Sequence, residues 1–207
     1  MPAMPESSAT ECLPMRRVFV LGDSISIYYG PELKRLLAGR FIYGRKGEGI
    51  DPGDLNKTSL INGGDSGDCR RYLENFLPRT DLLLWNCGLH DIKTTDAGRQ
   101  VELPRYRENL AATVPLILAA GIQLVWIETT PVEDARHNRL CTTFRRFNAD
   151  VLEYNAAARE IMRRFAVPVI DLYTFTSSLG GPLYRDHVHF TDQVAAKQAG
   201  FIAGQIE

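Results

Sequence analysis

A chain of 207 residues, 44% of them hydrophobic, is long enough to bury one full core, and its length favours one domain over two. Its 24 basic and 25 acidic residues give a formal net charge of -1, which offers no field to gather nucleic acid or an anionic membrane, so neither partner is expected. No apolar run approaches the ~20 residues of a membrane helix, and Met1 to Pro14 has neither a basic start nor an apolar centre, so a cytoplasmic location is expected. Cys12, Cys69, Cys87 and Cys141 are widely spaced with no C-x-x-C pair, which indicates neither a structural zinc site nor a dithiol redox motif. Reduced thiols are expected, although four cysteines also suffice for two bridges.

Residues 1–15 mix Pro, Ser, Glu and Thr without periodicity and read as a loose arm, leaving 16–207 as a single domain. Arg17 to Leu21 reads as a first buried strand, ending in Gly22-Asp23-Ser24. Helical apolar spacing follows over Pro31 to Leu37, closed by Gly39. Phe41 to Tyr43 makes a second strand, and the glycine-rich stretch Gly44 to Asn56 a long loop. The turn-rich run Ile61 to Asp68 leads into an amphipathic stretch, Arg71 to Leu77, that Pro78 ends. Asp81 to Cys87 is a third strand running into Gly88-Leu89-His90-Asp91. A helix spans about Leu103 to Ala120, with a kink expected at Pro115, before the fourth strand Ile122 to Ile127. Phe144 to Phe165 reads as one long helix, Pro168 to Leu172 as the fifth strand and Val194 to Ile206 as a terminal helix. Five apolar runs alternating with helices predict an α/β, three-layer, doubly wound fold around a five-stranded parallel sheet. In such a sheet, functional groups gather just beyond the carboxyl ends of the strands.

Gly-Asp-Ser by itself is equally the start of a helix, with Asp or Ser as its cap. What gives Ser24 a chemical reading is Asp186-His187-Val188-His189 far downstream. Acyl transfer by a serine needs a base for the hydroxyl proton, a group that fixes the base's tautomer, and donors aimed at the developing oxyanion. Ser24 supplies the nucleophile, His189 the general base and then acid, and Asp186 the orienting carboxylate.

Gly22-Asp23-Ser24-Ile25, Gly67 within Asn62 to Asp68, Gly88-Leu89-His90-Asp91 and Asp186-x-x-His189 together resemble the four blocks of the SGNH (GDSL) hydrolase family. The resemblance implies a flavodoxin-like sheet of five parallel strands and an esterase or lipase mechanism. Its oxyanion hole would be made by the amides of Ser24 and Gly67 and a third-block side chain. The family's third block is Gly-x-Asn-Asp, so His90 stands where an asparagine is usual. A neutral imidazole has one N-H where a carboxamide has two, so its tautomer decides whether it can serve.

The remaining histidines have plainer readings. His137, in the polar run Glu133 to Arg139, is expected at the surface, with a place in the lining of the substrate cleft as the alternative. His187 and His189 alternate like a metal pair, but no third ligand is spaced to join them, so no metal and no cofactor is expected. Asn155 reads as a structural hydrogen bonder, and Trp85 and Trp126 as core. The reaction expected is hydrolysis of a short acyl ester, acetyl above all, of a hydrophilic alcohol such as a carbohydrate, since the strand-end loops are polar and lack an apolar lid. Within the same chemistry stand a thioesterase, a lysophospholipase and an acyltransferase. Outside it stand a metallohydrolase and a non-catalytic binding module on the same fold.

Overall fold

The computed structural model describes residues 14–47 and 60–206. Nearly all of the expected arm 1–15, and the expected loop from 48 onward, lie outside them. Along the chain run β1 (Arg16–Leu21), α1 (Ser24–Leu37), β2 (Phe41–Arg45), α2 (Ser66–Asn75), β3 (Leu82–Trp85), a short hairpin of β4 (Thr94–Thr95) and β5 (Gly98–Arg99), and α3 (Leu103–Ala119). They are followed by β6 (Gln123–Ile127), α4 (Asp134–Leu140), α5 (Asn148–Arg164), β7 (Val169–Ile170), α6 (Leu172–Ser178) and α7 (Asp192–Gln205).

The main sheet has the order β2-β1-β3-β6-β7 with every pair parallel. Strands covered on both faces read as unbroken apolar runs, and β3 (Leu82-Leu83-Leu84-Trp85) is buried at all four positions. Helices α1, α6 and α7 pack together, as do α2, α3 and α5, so both faces of the sheet are covered. The chain enters at β1, moves outward to β2, then crosses back to β3 on the other side. That reversal makes the gap beyond the ends of β1 and β3 a topological switch point, the crevice where α/β sheets bind ligands. Both Ser24 and His90 follow these two strands. Beneath them Trp85 and Trp126 are paired in register and meet edge to face at 5.1 Å, both fully buried.

The structure moves several expected boundaries. α1 starts at Ser24 and runs through Pro31, because Asp23 caps it and its apolar face, from Ile25 through Tyr29 to Leu33 and Leu37, is buried from the first turn. β2 extends to Arg45 through pairing with Val20. α3 passes through Pro115 as one helix. The expected helix from Phe144 begins only at Asn148, since Arg145 exchanges backbone hydrogen bonds with Thr94 at 2.8 and 2.9 Å and is held extended. β7 is only Val169–Ile170, and Leu172 opens α6 instead of closing a strand. The β4-β5 hairpin, α4 and α6 have too little apolar periodicity to be read from sequence. Among the described residues Cys69, Cys87 and Cys141 are unpaired thiols, and no helix is long and apolar enough to cross a membrane.

Candidate active site

β1 ends at Leu21, Gly22 turns the chain, and the Asp23 carboxylate accepts the Ile25 N-H at 2.9 Å, which makes Ser24 the first residue of α1. The two readings of Gly-Asp-Ser therefore coexist: Asp23 is the cap and Ser24 points elsewhere. Ser24 Oγ lies 2.8 Å from His189 Nε2. His189 and Asp186 sit in a turn between α6 and α7, closed by backbone hydrogen bonds from Arg185 to His189 and from Thr191 to Leu183, each 2.9 Å.

Asp186 holds this turn in shape and orients the ring at once. One carboxylate oxygen accepts the backbone N-H groups of Val188 at 2.9 Å and His189 at 2.8 Å, and the other faces His189 Nδ1 at 2.8 Å. Partial burial works against the Asp186 charge, but those N-H donors and the His189 ring outweigh it and hold the carboxyl below its usual value. An ionised carboxylate only accepts, so Nδ1 carries the proton and Nε2 presents its lone pair to the Ser24 hydroxyl. The Arg136 guanidinium donates to the Asp186 carbonyl at 2.6 Å, and Tyr28 packs on the His189 ring with centroids 4.9 Å apart.

At the end of β3, Gly88 adopts φ +149, where a Cβ would collide with Thr129 Oγ1, so only glycine fits the turn that presents His90. His90 is buried, and its Nδ1 lies 3.0 Å from Lys93 Nζ. An ammonium has donors and no acceptor, so Nδ1 must be the lone pair and Nε2 the N-H. Burial first, then the charges of Lys93 and Arg146, push the His90 imidazole well below its usual value and keep it neutral. Its neighbour Asp91 is fully buried and pushed up to about 8 by that burial, opposed by hydrogen bonds from Ser66. The Ser66 N-H reaches both Asp91 oxygens, at 2.9 and 3.1 Å.

That contact ties α2 to the end of β3. Gly67 is the second residue of α2, behind a capping box in which Asp65 and Asp68 each accept the other's backbone N-H. Amides at the first positions of a helix have no carbonyl within it to bond, which leaves those of Ser24 and Gly67 available. The Gly63 N-H donates to the Gly22 carbonyl at 2.8 Å, so the second block also anchors on the first. Gly67 itself opens onto a cleft between α2 and α3 lined by Arg70, Arg99, Gln100 and Arg105.

The structure thus brings Ser24, His189 and Asp186 into one hydrogen-bonded row, sets His90 within electrostatic reach of His189, and links the start of α2 to Asp91. One expectation fails. His137 is completely buried, because the polar run around it folds as α4 and its ring packs against Phe144 and His187. Burial and the nearby Arg146 lower its imidazole to about 4. Asn155 accepts the Thr129 N-H and donates to the Thr129 carbonyl, holding the exit of β6.

Two residues near the site, Lys93 and Arg146, lie outside the sequence motifs. Lys93 is only three positions after His90 in a polar turn, so short-range spacing had the information. Arg146 had none. It is buried, donates to the Leu89 carbonyl at 2.6 Å and lies with Lys93 against the Phe144 ring.

Similar proteins share this architecture. The chain superposes on a lipase/acylhydrolase from Enterococcus faecalis with a TM-score of 0.68 at 20% identity, over 93% of this chain and 95% of that one. The acetyl xylan esterase AlAXEase matches with a TM-score of 0.69 at 15% identity, over 92% and 100% of the two chains. A catalytic mutant of Axe2, an acetylxylan esterase from Geobacillus stearothermophilus, matches with 0.67 at 14% identity, over 92% and 93%. No curated protein is significantly similar in sequence. The sequence model of the GDSL-like lipase/acylhydrolase family matches residues 20–197, a span that begins inside β1 before Ser24 and ends in α7 beyond His189. The chain belongs to the GDSL-like lipase/acylhydrolase family and is a hydrolase.

Proposed function

We propose that the protein is a serine esterase that removes a short acyl group, acetyl above all, from a hydrophilic alcohol such as a carbohydrate hydroxyl. The observation that carries this reading is the unbroken row from Ser24 Oγ through His189 to Asp186, with 2.8 Å at each of its two links. His189 Nε2 takes the hydroxyl proton as Ser24 attacks the acyl carbonyl, and Asp186 stabilises the imidazolium. The proton then passes to the leaving alcohol, and water enters by the same route in reverse to release the acid. The tetrahedral oxyanion is received by the amides of Ser24 and Gly67 at two helix starts and by the Nε2-H of His90. Two supports bear on the substrate: the acetyl xylan esterases among the similar structures, and the polar character of the segments at the strand ends.

A fluorophosphonate should label Ser24 in the folded protein and fail to label Ser24→Ala, and acetate should be released from acetylated xylan faster than longer acids from matched esters. A folded protein that takes no label would sink the nucleophile assignment. Labelling with a preference for long acyl chains would keep the mechanism and overturn the substrate.

A further inference from the structure

The turn that carries Asp186 and His189 also carries an imidazole that the ester chemistry does not use. His187 lies between them in sequence, yet its Nδ1 faces His137 Nδ1 at 3.0 Å. His137 stands one helical turn before Cys141, whose backbone N-H donates to the His137 carbonyl at 2.8 Å at the end of α4. Residues four apart share a helix face, so both side chains reach the same side. The outcome is two imidazole nitrogens and the Cys141 thiol, with donor atoms all within 4.8 Å of one another.

We infer that His137, Cys141 and His187 bind a thiophilic closed-shell metal ion, zinc(II) or copper(I), which ties α4 to the turn bearing Asp186 and His189. Zinc-nitrogen bonds of about 2.0–2.1 Å at tetrahedral angles separate two nitrogens by about 3.3 Å, close to the spacing of the two Nδ1 atoms. The His137 ring is completely buried, and its Nδ1 lies 3.0 Å from His187 Nδ1 and 3.3 Å from the His187 carbonyl, so an ion held by the two Nδ1 atoms takes the place of the proton they share. Two imidazoles and a thiol form a soft donor set that selects zinc or copper(I) over magnesium or calcium. The thiolate supplies the charge the ion needs, with Asp134 beside His137 and Asp186 beside His187 adding negative field that Arg146 opposes. Cys141 is only half-buried, which leaves the ion a way in. Sequence spacing hides the site because His187 pairs with neither of its sequence neighbours but with a helix about fifty residues upstream.

The experiment uses the full chain, stripped of metal and then supplied with zinc chloride. It should retain one zinc per chain after gel filtration and unfold at a higher temperature than the stripped protein, and cobalt(II) in place of zinc should give a thiolate charge-transfer absorption. Each readout should be lost in Cys141→Ser and in His187→Gln, both at half-buried positions, and persist in Ser24→Ala. A parallel titration with copper(I) under a competing chelator decides which ion the site prefers, and dependence on the same two residues for either ion sustains the inference. Failure to retain either ion, or retention unchanged in Cys141→Ser and His187→Gln, overturns it. None of these readouts requires ester hydrolysis, so they stand or fall apart from the esterase reading.

Discussion

The side chain of His90 has one nitrogen committed to Lys93 and the other left with its proton, and that asymmetry makes an imidazole usable where a carboxamide is usual. If Nε2-H meets the oxyanion, His90→Ala should lower kcat by roughly 10²–10³ with little change in KM, the usual cost of one such donor. Lys93→Met should lower kcat by less, because the productive tautomer stays accessible but is no longer imposed. A His90→Ala protein that folds and turns over at the parental rate would exclude the donor role. Ser24 and His189 offer a different test, since two residues acting on one proton do not contribute independently. Ser24→Ala, His189→Ala and the double variant should all fall to about the same residual activity. Losses that multiply in the double variant would separate the two residues.

At the scale of elements, the site is built from two helix starts and two turns: Asp23 and Asp65, which take no part in the proposed chemistry, cap the helices, whereas Asp186 both holds its own turn and orients His189. Asp65 caps α2 and accepts from Gln100 at 2.6 Å, so it also pins α2 to the turn before α3. Removing an N-cap carboxylate typically costs about 0.5–2 kcal/mol. Asp65→Ala should therefore destabilise the fold by that amount in a denaturant titration, and activity per folded molecule should fall if the Gly67 amide moves with the helix start. Unchanged activity in the destabilised variant would mean that the placement of the Gly67 amide does not depend on this cap. α4 belongs to this scale as well, because its burial of His137 and the Arg136 contact to the Asp186 carbonyl make it a wall of the turn that carries Asp186 and His189.

For the molecule as a whole, proton linkage follows from its buried groups. His90, His137 and His187 are all held below the usual histidine value, chiefly by burial. Below about pH 6.5 the unfolded chain therefore takes up protons that the folded chain refuses, and these residues withdraw stability as the pH falls through that value. Asp91, raised to about 8, works in the opposite sense: the folded chain holds its proton where the unfolded chain has lost it, so its contribution weakens as pH rises from about 4. The His90 share can be isolated. Between pH 7 and pH 5 the parent should lose more unfolding free energy than His90→Gln does, measured by urea titration at both values. Equal losses would mean that His90 is not held neutral by the fold.

The sequence by itself determined the five apolar runs, their alternation with helices and the polar residues at their ends, because burial of a strand or helix face leaves a periodic trace in the residues that form it. It also determined Asp186 and His189 as a local pair, since three residues of a tight turn suffice to bring a carboxylate to an imidazole. Segments whose form depends on distant partners were not legible: Arg145 is held extended by Thr94, His137 is buried by the packing of α4, and Arg146 is drawn inward to the Leu89 carbonyl. Nor could residue order fix the position of one proton. His90 is a donor at Nε2 only because the fold buries the ring and sets an ammonium against Nδ1, and that is decided by contact in three dimensions, not by composition or spacing.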